Sequence, residues 1–548
     1  MGHTRQEGVL HYREETISNL QSQEFDILVV GGGITGAGVA RDAALRGYSV
    51  ALVEKLDFGS GASSGSSKLV HAGLRYVPQK EFRLVREASR ERRKILEMAP
   101  HVTSPVKFFF PFHSDLWSTR RKIKLGIWFY DILAGFRNHM FHKFLGIDKA
   151  LKLIPTIREQ EFQGAGIYGD GRMDDSRLSL EIILSAQDHG ASVLNYCEVI
   201  SFKTNQSGDK ITSVNVHDKI KDQKFAIKSR AVVIACGPWT DEILQMLDPN
   251  APPRVRITKG IHLITKKFYD GEYAVVVPIR DKRVNFVIPF GDFNLVGTTD
   301  TDYTGDLDFV PVLEDEIDYI IDAINFIFPG SLSRKDIVSA YSGLRPLIIS
   351  PDAKSESDVS RKHGIFVPRS NLFAITGGKF TTFRAMAKDV VDRLGDFLGK
   401  KARCMTDETP LHGWSSLSRR YWENWKIIAI EDMKIRYELP QDIAIHLLRY
   451  GENYKQICQF IKENPELADR ISSDRSYILV EVDYAVMYEK AVTLNDFMLR
   501  RTQLQLSDNQ GLDCIEPIVD RMADLLGWPA DEKEREKASY KESLVWSP

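Results

Sequence analysis

The sequence has few of the features that mark secreted, membrane-spanning or nucleic-acid-binding proteins. Its 548 residues include only five scattered cysteines and no C-x-x-C pair. This argues against a disulfide framework or a metal site and predicts reduced cysteines in a cytoplasmic protein. No run of about 18 apolar residues occurs, so we expect no membrane-spanning helix. Residues 1–23 form a polar N-terminal arm without the apolar core of a secretory signal. The formal net charge of -2 predicts no nucleic-acid partner.

A nucleotide-binding motif follows this arm. The segment FDILVV predicts a buried strand that leads into Gly31, Gly33 and Gly36, with the spacing G-x-G-x-x-G. These glycines allow a tight turn, close approach of a pyrophosphate, and packing of the next helix on the strand. Glu54 ends the next predicted strand, where its carboxylate can accept hydrogen bonds from ribose hydroxyls. The strand, glycines, helix, second strand and terminal Glu54 occur together at the expected spacing, which disfavours a glycine-rich turn without a nucleotide. The position of the motif near the N-terminus favours FAD over NAD.

The remaining pattern predicts an α/β protein with a FAD-binding Rossmann-like domain, an antiparallel-sheet substrate domain and a C-terminal helical domain. Strand-like segments alternate through about 261–300, whereas the sequence beyond about 405 is mostly helical in pattern. We therefore expect a FAD-dependent oxidoreductase region at 24–400, discontinuous around a substrate domain at about 106–170 and 250–355. A helical domain would then occupy residues 401–548.

Several motifs together resemble one family. They are GGGITGAGVARDAALRG, SSGSSKLVHAGLRY, AVVIACGPWTD, KGIHLI, GTTD, SGLRPL, TGGKFTTFR and EVDYAVMYEKAVTLNDFMLRRT. From about 24 to 505 the chain is similar to the FAD-dependent glycerol-3-phosphate dehydrogenases, which are membrane-associated respiratory enzymes. The resemblance implies oxidation of sn-glycerol 3-phosphate to dihydroxyacetone phosphate, with hydride transfer to FAD and electrons passed to a quinone.

Two alternatives to this function stay open. The closer one is a glycerol-3-phosphate oxidase, which would use oxygen as the acceptor and make hydrogen peroxide. The more distant one is a flavin-dependent RNA-modifying or RNA-binding protein with the same N-terminal motif, although the chain has no basic stripe.

The resemblance also implies a set of substrate-binding residues. Arg75 and Tyr76 would meet the substrate phosphate, since an Arg offers a planar fork of donors; a structural salt bridge is the alternative. Arg345 would face the phosphate or the reacting oxygen, and Pro346 predicts that it lies on a loop. Thr298, in GTTD, is expected near the site with a less certain role.

Two further residues are candidates for proton transfer and for contact with the cofactor. His262 is the best side chain for proton transfer because its reference pKa lies near neutrality, but a core histidine is an equal alternative. Lys379 follows two glycines and precedes a predicted helix, where it can contact both substrate and flavin; a surface lysine is the alternative. The predicted catalytic residues are therefore His262, Arg345 and Lys379.

The loop Gly59–Tyr76 is rich in small and hydroxyl residues that can surround a flavin pyrophosphate and ribityl chain. Its hydroxyls predict cofactor contacts by Ser66 and Ser67, and His71 is expected to touch the flavin through its backbone. An ordinary flexible loop is the alternative. The other predicted cofactor contacts are Val199, Gly237 and Lys379.

The segment Val106–Leu145 interleaves arginines and lysines with aromatic residues. Such a composition is typical of an interfacial helix that binds anionic headgroups, and it is equally compatible with a helical cap whose aromatics pack inside the protein. The expected location is cytoplasmic, with peripheral attachment to the inner face of the cell membrane as an open alternative. The oligomeric state is also open.

Overall fold

The computed structural model describes residues 2–77, 80–135, 138–279, 283–349 and 363–546. For residues 2–11 and 75 the description covers the backbone only. The strands are β1 (Glu24–Val30), β2 (Val50–Val53), β3 (Leu69–Val70), β4 (Thr103–His113), β5 (Lys143–Leu145), β6 (Phe162–Met173), β7 (Ser192–Leu194), β8 (Cys197–Thr204), β9 (Ile211–Asp218), β10 (Gln223–Ile234), β11 (Val255–Lys266), β12 (Ala274–Pro278), β13 (Val284–Phe290), β14 (Phe293–Gly297), β15 (Thr301–Asp302), β16 (Ile337–Ile348), β17 (His363–Arg369) and β18 (Leu372–Gly377).

The helices alternate with the early strands and dominate the C-terminal part. They are α1 (Gly2–Ser22), α2 (Ile34–Leu45), α3 (Phe82–Met98), α4 (Arg120–Leu133), α5 (Ile147–Leu153), α6 (Asp175–Asp188), α7 (Thr240–Gln245), α8 (Glu314–Ile327), α9 (Phe383–Leu398), α10 (Trp422–Tyr437), α11 (Gln441–Leu447), α12 (Tyr454–Glu463), α13 (Val480–Met487), α14 (Ile515–Leu526) and α15 (Ala530–Glu542).

A mostly parallel sheet forms the nucleotide-binding part. Its order is β17-β18-β10-β1-β2-β7, with β17 antiparallel at one edge and a β8–β9 pair attached to the long β10. Apolar residues of α2, such as Val39 and Ala43, pack in one core with Val390 and Leu394 of α9. The continuous apolar run of β1 follows from its burial on both faces, as expected for a parallel strand.

A second sheet lies over this part, in the order β15-β11-β14-β13-β12-β4-β6-β3, with β16 added to β11 and β5 to β6. All its pairs are antiparallel except β4 with β12. One face carries α8 and a large apolar core. The opposite face packs on the loop that follows β2, because Leu69, Ala72 and Tyr76 share a core with Phe108 and Tyr341.

The C-terminal residues form a separate helical layer with apolar cores of its own. The expected α/β class, with a FAD-binding fold, an antiparallel sheet and a C-terminal helical domain, is confirmed. The N-terminal arm is the helix α1, whose Ile17 and Leu20 are buried. Arg13 of α1 donates to both carboxylate oxygens of Asp218 at 2.6 and 3.1 Å. None of the described helices is both long enough and apolar enough to cross a bilayer.

A buried ion network joins the C-terminal domain to the nucleotide-binding part. Asp57, in the loop after β2, accepts hydrogen bonds from Arg500 at 2.6 Å and from Arg501 at 2.6 and 2.9 Å. Burial alone would raise the pKa of Asp57, but Arg501 and Arg500 lower it to about 2. The carboxylate therefore offsets the charge of two guanidinium groups that are almost removed from solvent.

Replacing Asp57 by Asn should destabilise the protein strongly, because it removes the carboxylate that two buried guanidinium groups share. Arg500 would keep only Asp496 as a partner, and Arg501 only the more distant Glu489. We expect a loss of about 3–5 kcal/mol in the free energy of unfolding, measured by urea denaturation. The ionic contribution should be complete above about pH 4, the unfolded pKa, and should be lost as the pH falls towards 2. Asp531→Asn, which breaks an exposed pair with Arg535, is the control. Equal stability of the Asp57 variant and the parent protein would contradict this account.

Candidate active site

A cavity opens at the carboxyl ends of β1, β2, β10 and β18. This is the edge of a parallel sheet at which nucleotide cofactors bind. Among the lining residues are Gly31, Gly33, Glu54, Ser60, Ser63, Val199, Cys236, Gly237, Trp239, Thr376, Gly378 and Lys379. Of the predicted cofactor contacts, Gly31, Gly33, Glu54, Val199, Gly237 and Lys379 therefore meet at one cavity, whereas Gly36 does not line it.

The glycine motif shapes the entrance of α2 as the sequence predicts. Gly31 has a φ of 104°, and a Cβ at Gly36 would lie 1.9 Å from the Gly31 carbonyl oxygen. Gly33 is the N-cap of α2 and has no side chain to cover the first turn. The Ile34 N–H donates to the Ser63 hydroxyl at 2.9 Å. Gly33, Ile34 and Thr35 line the cavity, so the first turn of α2 lies where a pyrophosphate fits.

Glu54 is held in place by the backbone. One carboxylate oxygen accepts from the Gly32 N–H at 2.6 Å, and the other accepts from the Leu56 N–H at 2.9 Å. Burial raises the pKa of Glu54. A second lone pair on each oxygen leaves acceptors for ribose hydroxyls. Thr376 adds a buried hydroxyl without a partner among the described residues. Both features fit the adenosine and pyrophosphate half of FAD.

His262 lies on β11 and is 2% exposed. Its Nε2 is 2.8 Å from the Ser67 hydroxyl, and its ring stacks on Tyr341 of β16 with centroids 4.9 Å apart. Nδ1 has no hydrogen-bond partner among the described residues. Burial, together with the nearby Arg345 and Lys68, lowers the pKa of His262 well below its usual value. The imidazole is therefore neutral at physiological pH.

Arg345 is fixed beside this histidine. Its guanidinium donates to the Thr298 hydroxyl at 3.0 Å and to the Asp300 carboxylate at 3.0 Å. It extends over Gly260, where a Cβ would lie 2.2 Å from Nη2. The predicted loop position of Arg345 is wrong, because Arg345 and Pro346 both lie within β16. Proline is tolerated there because β16 pairs on one side only, with β11.

Lys379 and Tyr76 form a second polar group at the cavity. The Lys379 ammonium lies 3.6 Å from the centroid of the Tyr76 ring. Gly73, with a φ of 81°, makes room for that ring, since a Cβ there would lie 2.3 Å from it. The His71 carbonyl accepts from the Thr381 hydroxyl at 3.2 Å. The loop Gly59–Tyr76, called the flavin loop below, is thus joined to the segment after Lys379. The side chain of Arg75 lies outside the described part of the chain.

The two predicted cofactor serines have protein partners. Ser66 donates to Asp175 at 2.6 Å, and Ser67 bonds to His262. Asp175 also accepts from Lys68 at 2.5 Å. Neither serine lines the nucleotide cavity, so direct flavin contact by their hydroxyls stays a prediction.

The structure adds residues of the same loop to the site. Ser60 and Ser63 line the cavity, and the hydroxyl-rich composition of the loop already pointed to this region. Lys68 and Tyr341 were missed because their roles depend on partners far away in the chain. The consecutive Asp174 and Asp175 were a local indication of this network. Asp174 alone caps α6, so the Asp175 carboxylate is not needed as a cap and can accept other hydrogen bonds.

A second, apolar cavity of about 780 Å³ lies on the other side of the flavin loop. It extends from loop residues 69–77 to helix α4 and the substrate sheet. Its lining includes Leu69, His71, Gly73, Leu74, Phe108, Phe110, Trp117, Ile123, Leu125, Phe129, Val276 and Phe286. Both its size and its apolar lining are typical of a small-molecule site.

Comparison with known proteins gives matches over nearly the whole chain. The FAD dependent oxidoreductase family matches residues 26–393, and the C-terminal domain of alpha-glycerophosphate oxidase matches residues 404–533. The aerobic glycerol-3-phosphate dehydrogenase of Staphylococcus saprophyticus is 34% identical over 95% of this chain and 94% of its own length. The glycerol-3-phosphate dehydrogenase of Mycobacterium leprae is 35% identical over 95% of this chain and 88% of its own length.

Solved structures agree with this result. The FAD complex of the Bacillus halodurans glycerol-3-phosphate dehydrogenase superposes with a TM-score of 0.82 at 30% identity, covering 97% of both chains. An L-alpha-glycerophosphate oxidase of Mycoplasma pneumoniae shares the fold, with a TM-score of 0.53 at 18% identity over 70% of this chain and 96% of its own. A nucleotide cavity shaped for FAD, a polar group at its flavin end and full-length similarity together show that the chain belongs to the FAD-dependent glycerol-3-phosphate dehydrogenase family.

Proposed function

We propose that the enzyme oxidises sn-glycerol 3-phosphate to dihydroxyacetone phosphate. The observation that carries this is the neutral, buried His262 beside a fixed Arg345. Pro346, which follows Arg345 in the chain, lines the nucleotide cavity together with Lys379. The names of the full-length relatives support the same substrate. FAD, when bound, accepts the hydride that leaves C2 of the substrate.

His262 is the proposed proton acceptor for the C2 hydroxyl. A neutral imidazole can accept a proton only at the nitrogen that has no hydrogen. If Nε2 donates to the Ser67 hydroxyl, Nδ1 carries the lone pair and has no hydrogen-bond partner among the described residues. Stacking on Tyr341 holds the ring in this orientation. Ser67 therefore sets the tautomer, and the low pKa of His262 keeps the nitrogen unprotonated before the reaction.

The cations of the site divide between the two ends of the substrate. Because Arg345 lies near enough to lower the pKa of His262, we place it at the reacting oxygen. Lys379 and Tyr76 lie together on the flavin loop side, and Arg75 adjoins Tyr76 in sequence. We assign these three residues to the phosphate, for which an arginine fork and an ammonium both provide charged donors.

The apolar cavity supports a quinone as the electron acceptor. A quinone ring on an isoprenoid chain needs an apolar route to the flavin loop, and this cavity extends to His71 and Gly73. The match to the C-terminal domain of alpha-glycerophosphate oxidase favours oxygen as the second candidate acceptor. In that case hydrogen peroxide would be the product.

Helix α4 supports attachment to a membrane surface. Its Ile123, Ile127 and Tyr130 are buried, whereas Leu125 is 68% exposed and Trp128 is 50% exposed. Arg120, Arg121 and Lys122 are exposed on the same helix. The helix thus packs on the protein with one face and presents another that suits a bilayer interface. The aromatics of β4 take no part in this face, since Phe108, Phe109 and Phe110 are buried.

An anaerobic reductive half-reaction tests the proposed function. Mixing the yellow holoenzyme with sn-glycerol 3-phosphate should bleach the flavin absorbance, and one equivalent of a water-soluble quinone should restore it. A flavin that stays oxidised would contradict the proposal that sn-glycerol 3-phosphate is the substrate. Faster reoxidation by dissolved oxygen than by quinone would replace the proposed acceptor by the oxidase alternative.

Substitutions of Arg75 and Arg345 should separate the two ends of the substrate. A charge-assisted hydrogen bond contributes about 1.5–3 kcal/mol, so either alanine variant should lower kcat/KM for glycerol 3-phosphate by roughly ten- to a hundredfold. Arg75→Ala should leave the slow turnover of glycerol unchanged, whereas Arg345→Ala should lower it as well. Arg334→Ala, at an exposed pair with Glu314 and Asp318, is the control. Equal losses on both substrates for Arg75→Ala would remove its phosphate role.

The exposed face of α4 can be tested with vesicles of anionic phospholipid. Trp128→Ser should reduce co-sedimentation severalfold, because apolar area that would enter the interface is lost. Activity with a soluble acceptor should be preserved. Ile427→Ser combined with Ile435→Ser, which removes exposed apolar residues of α10, is the matched control. Unchanged vesicle binding by the α4 variant would favour the packed-cap alternative.

A further inference from the structure

A cleft of about 750 Å³ lies between the substrate sheet and the C-terminal helical domain, apart from the cavities described above. One wall comes from the start of β4, the end of β6 and the turn between β13 and β14. The opposite wall comes from α10, α11 and the turn before α10. Apolar side chains such as Phe290, Trp422 and Ile445 line part of it. This volume lies within the range of small-molecule sites.

Two arginines meet at one edge of the cleft, from opposite domains. Arg172 of β6 lies opposite Ser104 in the sheet and donates from Nε to the Ser104 hydroxyl at 2.7 Å. Arg419 of the C-terminal domain donates from Nη1 to the Thr103 carbonyl at 2.9 Å. Because Thr103 and Ser104 are consecutive, the two guanidinium groups converge on the same short segment of β4.

The charge at this edge is unbalanced. Neither Arg172 nor Arg419 forms an ion pair within the described residues, whereas three other cations of the lining do. Those pairs are Lys68 with Asp175, Arg449 with Asp174, and Lys426 with Glu423. Arg172 is solvent-exposed. Burial lowers the pKa of Arg419, and Glu423 and Glu97 only partly oppose this effect. Each guanidinium keeps N–H donors that form no hydrogen bond with the described residues.

We propose that this cleft binds a phosphate-bearing small molecule, with Arg172 and Arg419 holding its phosphate groups. Two guanidinium forks suit phosphate oxygens because each can donate two parallel hydrogen bonds. The apolar wall accommodates an organic body attached to the phosphate. Such a ligand bridges the substrate sheet and the C-terminal domain, and it also meets Lys68, which adjoins Ser67 in the flavin loop. Binding therefore stabilises the contact between the domains.

Calorimetric titration of the FAD-loaded enzyme with pyrophosphate tests this site. We expect one molecule to bind per chain outside the substrate site, with binding weakened at least tenfold by Arg172→Gln and by Arg419→Gln. Arg535→Gln, which alters an exposed arginine of α15, should bind as the parent protein does. Pyrophosphate should also raise the unfolding temperature of the parent enzyme but not that of the two cleft variants.

Several outcomes would overturn the proposal. These are no binding at millimolar pyrophosphate, equal binding by both cleft variants, or displacement of all bound pyrophosphate by glycerol 3-phosphate. If the tricarboxylate tricarballylate binds and pyrophosphate does not, the proposal that the cleft recognises phosphate groups would also be rejected. Arg172→Gln keeps the test valid if Arg419→Gln loosens the helical domain, since Arg172 lies on the substrate sheet. Its kcat/KM for glycerol 3-phosphate should remain within twofold of the parent value.

Discussion

The close contact between Gly36 and the Gly31 carbonyl oxygen is the constraint on which the rest of the site depends. A methyl group at residue 36 would come within 1.9 Å of that oxygen, so only glycine lets α2 begin directly at the end of β1. Because β2 and β10 run parallel to β1, their carboxyl ends then surround the first turn of α2. Glu54 reaches back to the Gly32 N–H across this gap. The cofactor cavity thus follows from the order of the parallel strands and from the close packing of α2 against the end of β1.

In the proposed substrate site, the protonation state of His262 is influenced by two nearby cations, each of which forms an ion pair. Arg345 is fixed by Asp300, and Lys68 is fixed by Asp175, so neither introduces an isolated buried charge. Together with burial they keep His262 neutral. In the proposed reaction the imidazolium that forms is disfavoured by the same two cations. The dianionic phosphate of the substrate would then partly offset their charge and favour proton transfer when substrate is bound.

The cavity at the carboxyl ends of the parallel strands lies where local patterns predict a nucleotide, since the glycines, the strands and Glu54 occupy one short segment. The polar network of the substrate site could not be read in this way, because Ser67 and His262 are 195 positions apart and Lys68 and Asp175 are 107 apart. The basic–aromatic composition of Val106–Leu145 predicts a helix. The first part of this segment is instead the strand β4, whose consecutive buried phenylalanines show neither helical nor alternating periodicity.

One short turn of the flavin loop separates the polar substrate site from the apolar cavity. Tyr76 places its ring against the Lys379 ammonium, whereas Leu74, two residues earlier, lines the apolar cavity with His71 and Gly73. Gly73 makes this possible, because its left-handed backbone brings the Tyr76 ring back over the turn. An apolar acceptor can therefore approach the flavin loop without displacing the cations that hold the phosphate. In the proposed function this arrangement allows the acceptor and the substrate to use opposite faces of the same loop.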